Sequence, residues 1–234
     1  MKTTIVLADD HELLSKSIAA LLRGIPDFDV VGECNSGREL VRMVERLRPN
    51  VAVVDLAMPE MNGVEVARRL RTGSRSTRVI ILTGYTDETY IQEALQAGVV
   101  AYIVKSGATS DLIRAIREGT PRNVYLSTEV AAIASNSSAS GYGRRSTDRL
   151  GRLALSPRER EVLQLIVEGN ANKRIASLLG ISEATAKDHR KHIKEKLGIR
   201  DIASLTRYAI TIGMIRADMR AAHEHDRRLI PFRE

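Results

Sequence analysis

The chain has 234 residues and a formal net charge of +7, with 43% hydrophobic residues, a single cysteine and no tryptophan. This length favours one or two domains with a sizeable core. The single cysteine, Cys34, excludes an intramolecular disulfide, and no apolar run approaches the length of a membrane span. The N-terminal residues lead directly into an apolar strand pattern without a signal peptide, so we expect a reducing, cytoplasmic location and no membrane partner.

The excess of basic over acidic residues lies in the C-terminal half. Residues 1–120 carry a net charge of −1, residues 121–152 carry +3, residues 153–217 carry +5 and residues 218–234 are neutral. A basic excess confined to one part of a chain predicts an anionic partner for that part, in particular nucleic acid.

The first 120 residues alternate between short apolar runs and segments with helical spacing. Strands are predicted near residues 4–8, 28–33, 51–55, 78–83 and 100–104. Helices are predicted over residues 11–23, 36–48, 64–71, 87–97 and 109–118. This alternation predicts an α/β domain whose parallel sheet is covered by helices on both faces.

Carboxylates follow two of these strands. Asp9 and Asp10 come directly after the first strand, and Asp55 ends the third, after the apolar run from Val51 to Val54. Open α/β sheets place ligand sites at the carboxyl ends of their strands. Neighbouring carboxylates repel one another unless a cation lies among them, and hard oxygen ligands suit Mg²⁺. For Asp55 taken alone, a turn residue or a helix cap is the alternative.

This region resembles the receiver domains of bacterial response regulators. The resemblance is carried by Asp9-Asp10, by Asp55 with its Met-Pro-x-Met-Asn-Gly loop, by Thr83 at the end of the fourth strand and by Lys105 at the end of the fifth. It implies a five-stranded parallel sheet in the flavodoxin-like order 2-1-3-4-5. It also implies that Asp55 accepts a phosphoryl group from the phosphohistidine of a sensor histidine kinase.

The resemblance further implies a Mg²⁺ site next to Asp55. Asp10, Asp55 and the backbone carbonyl of Ala57 would hold the ion, and Asp9 would act largely through water. His11, which follows the acidic pair, is interpreted as a surface residue rather than a metal ligand.

Three further residues receive phosphoryl-binding and switch roles from the same resemblance. Lys105 would place its charge against the phosphoryl oxygens, and Thr83 would donate a hydroxyl hydrogen bond. Tyr102 matches the aromatic residue that turns inward when Thr83 moves; a half-exposed strand tyrosine is the alternative. Tyr85, two residues after Thr83, is a candidate for shielding the acyl phosphate from water.

Residues 121–152 are predicted to form a linker between the receiver, residues 1–120, and a second domain, residues 153–217. The segment from Tyr125 to Ile133 has the spacing of a short helix. Residues 135–151 are small, polar and basic, as in a flexible tether. A charged tail over residues 218–234 completes the chain.

The second domain is predicted to be all α. Its four helices are expected over residues 157–168, 173–179, 183–197 and 201–213. Ser156, Pro157 and Glu159 form the capping pattern that begins the first of them. The second and third helices flank a turn at Gly180, which is the helix-turn-helix arrangement.

The third of these helices has basic residues opposite an apolar face. The stretch from Ile181 to Gly198 resembles a LuxR-type output domain, which implies binding to double-stranded DNA. The predicted DNA-binding residues are Lys187, Asp188, Arg190, Lys191 and Lys194. Asp188 is a candidate for base reading, because a carboxylate can accept from a cytosine amino group. The alternative is an ordinary solvated helix face.

The last helix presents an apolar stripe. It is formed by Ile202, Leu205, Ala209 and Ile212. The resemblance implies that this helix pairs two output domains, so that a homodimer formed on phosphorylation meets a pseudo-palindromic DNA site. The alternative is that the stripe packs only on its own domain.

Together these features predict a two-component response regulator, a transcription regulator whose DNA binding is controlled by phosphorylation of Asp55. Its only enzymatic step would be phosphoryl transfer to its own Asp55. A DNA-binding regulator that does not depend on phosphorylation is one alternative. A phosphatase or dehalogenase is disfavoured, because those enzymes carry an Asp-x-Asp pattern on the first strand. A LuxR-type receptor for a small signal molecule is disfavoured by the carboxylates and the few aromatic residues.

Overall fold

The computed structural model describes residues 2–73, 76–107, 109–139, 155–212 and 214–215, without the side chains of 136–139. The chain divides into two compact units, Met1–Ala154 and Leu155–Glu234. Most of the predicted tether and all of the predicted tail lie outside the described residues.

The N-terminal unit contains one parallel sheet. Its strands are β1 (Thr3–Ala8), β2 (Phe28–Cys34), β3 (Val51–Val54), β4 (Arg78–Thr83), β5 (Ala101–Val104) and β6 (Tyr125–Leu126), in the order 2-1-3-4-5-6. Its helices are α1 (Glu12–Arg23), α2 (Gly37–Leu47), α3 (Gly63–Gly73), α4 (Glu88–Ala97), α5 (Thr109–Glu118) and α6 (Thr128–Ala139). The predicted class and the predicted order of the first five strands are confirmed.

Helices cover both faces of this sheet because successive strand residues point in opposite directions. In β1, Val6 and Ala8 pack in one buried cluster with residues of α2, α3 and α4. Ile5 and Leu7 pack in a second cluster with residues of α1 and α5. Every residue of β3 is buried, as expected for a strand between β1 and β4 in a parallel sheet.

A sixth strand and a packed helix extend the sheet beyond the five predicted strands. Leu126 in β6 pairs with Tyr102 in β5, and the backbone N–H of Ser127 donates to the Tyr102 carbonyl at 3.2 Å. In α6, which contacts α4 and β5, Val130 is fully buried in the same cluster as Tyr102. The first part of the predicted linker therefore packs on the N-terminal unit.

In residues 155–212 and 214–215, the C-terminal unit consists of four helices around one apolar core. They are α7 (Pro157–Val167), α8 (Asn172–Leu179), α9 (Glu183–Leu197) and α10 (Ile202–Thr211). Ser156 and Glu159 form the predicted capping box at the start of α7. Gly180 ends α8 with a φ of +63°, a left-handed conformation that costs glycine little. The predicted helix-turn-helix arrangement is confirmed.

Within the described residues, no helix has the length and apolar character needed to span a bilayer.

Candidate functional site

The predicted carboxylates meet at the carboxyl ends of β1 and β3. These strands are neighbours, with Ala8 opposite Val54, and the backbone N–H of Asp55 donates to the Ala8 carbonyl at 2.8 Å. Potential ligand atoms of Asp9, Asp10 and Asp55 all lie within 4.8 Å of one another. The parallel register thus brings together side chains that lie about 45 residues apart in the chain.

Lys105 lies among these carboxylates. Its Nζ is 2.7 Å from Asp9 Oδ2 and 3.1 Å from Asp55 Oδ2, and both carboxylates are buried. The backbone N–H of Lys105 donates to the Thr83 carbonyl at 2.7 Å, which fixes the lysine at the same edge of the sheet. Burial raises the pKa of Asp55 to about 6, with Lys105 opposing the shift and Asp9 and Asp10 adding to it.

His11 also reaches this cluster, although it was interpreted as a surface residue. Its side chain is 42% exposed, but Nδ1 lies 3.1 Å from Asp9 Oδ1 and 2.9 Å from Asp10 Oδ1. Its backbone N–H donates to Asp9 Oδ1 at 2.9 Å. The position next to the acidic pair was the signal, but sequence spacing cannot determine the direction of the ring.

The loop after Asp55 folds closely over the end of β3. The backbone N–H of Gly63 donates to the Leu56 carbonyl at 2.8 Å, and a Cβ at Gly63 would lie only 2.5 Å from the Asp55 carbonyl oxygen. A larger residue would therefore displace the loop, which explains the glycine at this position. Ala57 is buried in this loop, and its role as a carbonyl ligand stays a prediction.

The three carboxylates fit a Mg²⁺ ion chemically. They supply several hard oxygen atoms within 4.8 Å of one another, and Mg²⁺ prefers oxygen ligands. The ammonium of Lys105 offsets part of the negative charge, so a net negative site for a divalent cation remains.

Thr83 and Tyr102 are both fully buried, so the half-exposed alternative for Tyr102 is wrong. The Tyr102 hydroxyl donates to the Tyr85 carbonyl at 2.9 Å, and the Tyr85 N–H donates to Thr83 Oγ1 at 3.3 Å. Burial raises the pKa of Tyr102 far above its ordinary value, so the phenol remains a hydrogen-bond donor. The Tyr85 ring packs edge to face against Tyr90, with 5.4 Å between ring centroids.

In the C-terminal unit, α9 presents part of the predicted basic surface. Ala186 and Ile193 are fully buried and define its inner face. The exposed predicted residues are Lys187, Asp188 and Lys191, whereas Arg190 and Lys194 are partly buried. Arg190 Nη1 donates to Asn172 Oδ1 of α8 at 3.3 Å.

Comparison with known proteins identifies both units. The model of the response regulator receiver domain matches residues 5–117, and the model of the luxR family of bacterial regulatory proteins matches residues 153–209. The chain belongs to the two-domain response regulators with a LuxR-type output domain. It is a two-component transcription regulator whose DNA binding is controlled by phosphorylation.

Relatives and solved structures match along most of this response regulator. The nitrate/nitrite response regulator NarL of Escherichia coli K12 is 34% identical over 197 residues, covering 84% of this chain and 90% of NarL. The DNA-binding transcriptional activator DevR/DosR of Mycobacterium tuberculosis is 35% identical over 196 residues, covering 83% and 88%. A structure of RcsB from Salmonella enterica serovar Typhimurium, bound to promoter P1flhDC with the phosphomimetic BeF3−, has a TM-score of 0.58 and 27% identity. It covers 89% of this chain and 98% of that one.

The predicted dimer stripe of this response regulator needs correction. Leu205 and Ala209 are fully buried in the core of their own domain, so they are not available to a second copy. Ile212 packs against the same core, and only Ile202 is substantially exposed, at 41%. An apolar stripe at helical spacing shows that a helix face is buried, but not which surface buries it.

One contact in the output domain was not predicted from the sequence. Lys196 Nζ of α9 lies 2.7 Å from Glu159 Oε2 at the start of α7, and Glu159 is buried. This ion pair joins the end of α9 to the capping box of α7. Lys196 is 45% exposed but pairs with a buried carboxylate of another helix, whereas Lys187 and Lys191 pair with exposed residues of α9 itself.

Proposed function

We propose that Asp55 is the phosphoacceptor of this response regulator and that a sensor histidine kinase is its donor. The placement of Asp55 carries this proposal, because the buried carboxylate lies 3.1 Å from Lys105 Nζ beside Asp9 and Asp10. A carboxylate oxygen of Asp55 would attack the phosphorus of a phosphohistidine. The phosphorus–nitrogen bond breaks as an acyl phosphate forms on Asp55.

Lys105 and Thr83 would stabilise the transferred group. Phosphoryl transfer depends on alignment and charge neutralisation more than on acid–base chemistry. Asp9 Oδ2 lies 2.7 Å from Lys105 Nζ. It holds the ammonium next to Asp55, where it can face phosphoryl oxygens. Thr83 Oγ1 accepts from Tyr85 N–H, which leaves the hydroxyl proton of Thr83 for donation to a phosphoryl oxygen.

Asp10, Asp55 and the carbonyl of Ala57 are the residues we propose to hold Mg²⁺, with Asp9 acting through water. When bound, the ion supplies positive charge that neutralises the phosphoryl oxygens. The three carboxylates favour a cation at this position, because Lys105 offsets only part of their negative charge.

For the output domain, we propose that α9 lies in the major groove of double-stranded DNA. Lys187 and Lys191 are exposed on its outer side, and Arg190 and Lys194 would contact the phosphate backbone from its flank. A homodimer formed on phosphorylation would present two such helices to a pseudo-palindromic site. A structural neighbour, RcsB, is bound to a promoter.

Phosphoryl transfer to its own Asp55 would be the only chemical step of this protein, so we do not propose an enzyme. A cytoplasmic location follows from the proposed partners, since the chain must reach both the kinase and the DNA.

The decisive experiment measures both phosphorylation and DNA binding. The full chain is incubated with Mg²⁺ and acetyl phosphate, and intact mass and affinity for promoter DNA are recorded for wild type and Asp55→Asn. We expect one added phosphoryl group and tighter DNA binding for wild type only. Equal DNA affinity of phosphorylated wild type and Asp55→Asn would support regulation independent of phosphorylation.

A further inference from the structure

The outer face of α9 carries two carboxylates, Asp188 and, two turns further on, Glu195. At 100° per residue, Asp188 lies roughly 200° around the helix from Ala186, which is fully buried. It therefore points away from the domain core, and its side chain is exposed. It is also the sixth residue of α9, within the N-terminal half from which recognition helices contact bases.

Asp188 differs from the other acidic residues of the output domain. Six other carboxylates in residues 155–215 contact a partner: Glu159, Glu161, Glu168, Glu183, Glu195 and Asp201. Among the described residues, Asp188 forms neither an ion pair nor a hydrogen bond. Its basic neighbours are engaged elsewhere: Lys187 lies 3.1 Å from Glu183, and Lys191 lies 3.9 Å from Glu195.

This arrangement gives Asp188 no contact that stabilises the fold. It also places a negative charge on the surface that approaches phosphates, where it lowers the affinity for DNA of any sequence. A hydrogen-bond donor on the DNA would offset this repulsion. In the major groove, the donors are the amino groups of cytosine and adenine.

We propose that Asp188 reads a cytosine in each half-site of the operator. An ionised carboxylate only accepts hydrogen bonds, and cytosine presents only its N4 amino donor in the major groove. Adenine offers its N6 amino donor but places the N7 acceptor beside it, and guanine and thymine present acceptors, so each of the three suits a carboxylate less well than cytosine. The inference rests on the proposed placement of α9 in the major groove.

Lys187, the residue before Asp188, suits the guanine that pairs with this cytosine on the other DNA strand. Guanine presents two acceptors, O6 and N7, which lysine binds. Lys187 is exposed beside Asp188, and its present partner Glu183 is an exposed residue of the same helix, so this ion pair is weak and exchangeable. The carboxylate acceptor of Asp188 and the ammonium donor of Lys187 therefore fit the two bases of a C·G pair.

The test is selection of binding sites from a random duplex library by the full-length phosphorylated protein. Wild type, Asp188→Ala and Asp188→Asn are compared with Glu195→Gln, which removes a charge from the same helix two turns further on. We expect a C·G pair in each half-site for wild type and Glu195→Gln. Asp188→Ala should accept any base there, and Asp188→Asn should favour adenine, which asparagine binds through N6 and N7.

Affinities for matched duplexes quantify the effect. Changing the selected C·G pair to T·A should weaken wild type by about 5- to 100-fold and leave Asp188→Ala almost unchanged. Equal base preferences of wild type and Asp188→Ala would overturn the inference while leaving the proposed function intact. If wild type selects no sequence at all, the proposed DNA binding fails, and this inference fails with it.

Discussion

The hydroxyl of Tyr102 donates a hydrogen bond to the backbone carbonyl of Tyr85, 2.9 Å away. The backbone N–H of Tyr85 in turn donates to Thr83 Oγ1. Tyr85 thus connects through its backbone the two side chains to which switch roles were assigned. A change in the position of Thr83, at the end of β4, reaches Tyr102 through one residue.

Tyr102→Phe tests this connection, because it keeps the buried ring and removes only the hydrogen bond. We expect unchanged phosphorylation of Asp55 but a smaller gain in DNA affinity on phosphorylation, and a loss of about 1 kcal/mol in the free energy of unfolding. Intact mass, DNA titration and urea unfolding measure these quantities. The control is Tyr125→Phe, which removes the hydrogen bond to Asp111. A normal DNA response in Tyr102→Phe would contradict a role for this bond in signalling.

The raised pKa of Asp55 predicts a pH-dependent stability in the absence of Mg²⁺. Burial raises the pKa from its ordinary value of 3.8 to about 6, so the folded protein binds this proton more tightly than the unfolded chain. The contribution of Asp55 to stability is therefore most favourable below pH 4 and is lost as the pH rises to about 6.

Asp55→Asn removes this titration. At pH 7 we expect it to be more stable than wild type by about 3 kcal/mol at most, and at pH 4 the two should be similar. Urea unfolding followed by circular dichroism in the presence of EDTA measures the difference. A constant difference between pH 4 and pH 7 would show that Asp55 titrates normally. Added Mg²⁺ should stabilise wild type more than Asp55→Asn, since the ion favours the ionised carboxylate.

We expect Lys105 to weaken Mg²⁺ binding but to speed phosphorylation, because its ammonium lies between Asp9 and Asp55. In Lys105→Met we expect tighter Mg²⁺ binding, since a positive charge is removed, and phosphorylation that is slower by about 10-fold or more, since a charge facing the phosphoryl group is lost. Calorimetric titration and the time course of intact mass measure the two effects. Lys16→Met is the control, because Lys16 is exposed and pairs with Glu12. Weaker Mg²⁺ binding by Lys105→Met would contradict the proposed competition.

The acidic site could be predicted because it depends on strand order alone. In a parallel sheet, adjacent strands end at the same edge, so Asp9 and Asp55 had to meet once β1 and β3 were neighbours. The ring direction of His11 could not be predicted in this way, because it depends on side-chain torsions. The spacing of Leu205 and Ala209 showed that one face of α10 is buried, but the burying surface depends on tertiary packing.

The sixth strand could not be predicted from the sequence pattern either. With two residues, Tyr125 and Leu126, it is too short to show strand periodicity. Its pairing depends on the register with Tyr102 and on the helix that follows. The apolar residues of α6 were visible in the sequence, but their contact with the receiver was not.

Val130→Ala tests whether α6 is part of the receiver. Val130 is fully buried in the cluster that contains Tyr102, and the strand before it pairs with β5. Removing its two methyl groups should lower the free energy of unfolding of the receiver by about 2 kcal/mol. The matched control is Glu129→Ala, at an exposed position of the same helix, which should cost about 0.5 kcal/mol or less. Urea unfolding of the full chain, followed by hydrogen exchange of β5 amides, measures both variants. Equal stability of the two variants would show that residues 125–139 are not anchored on the sheet. A selective loss in Val130→Ala would show that the beginning of the linker is held by the strand that carries the switch tyrosine.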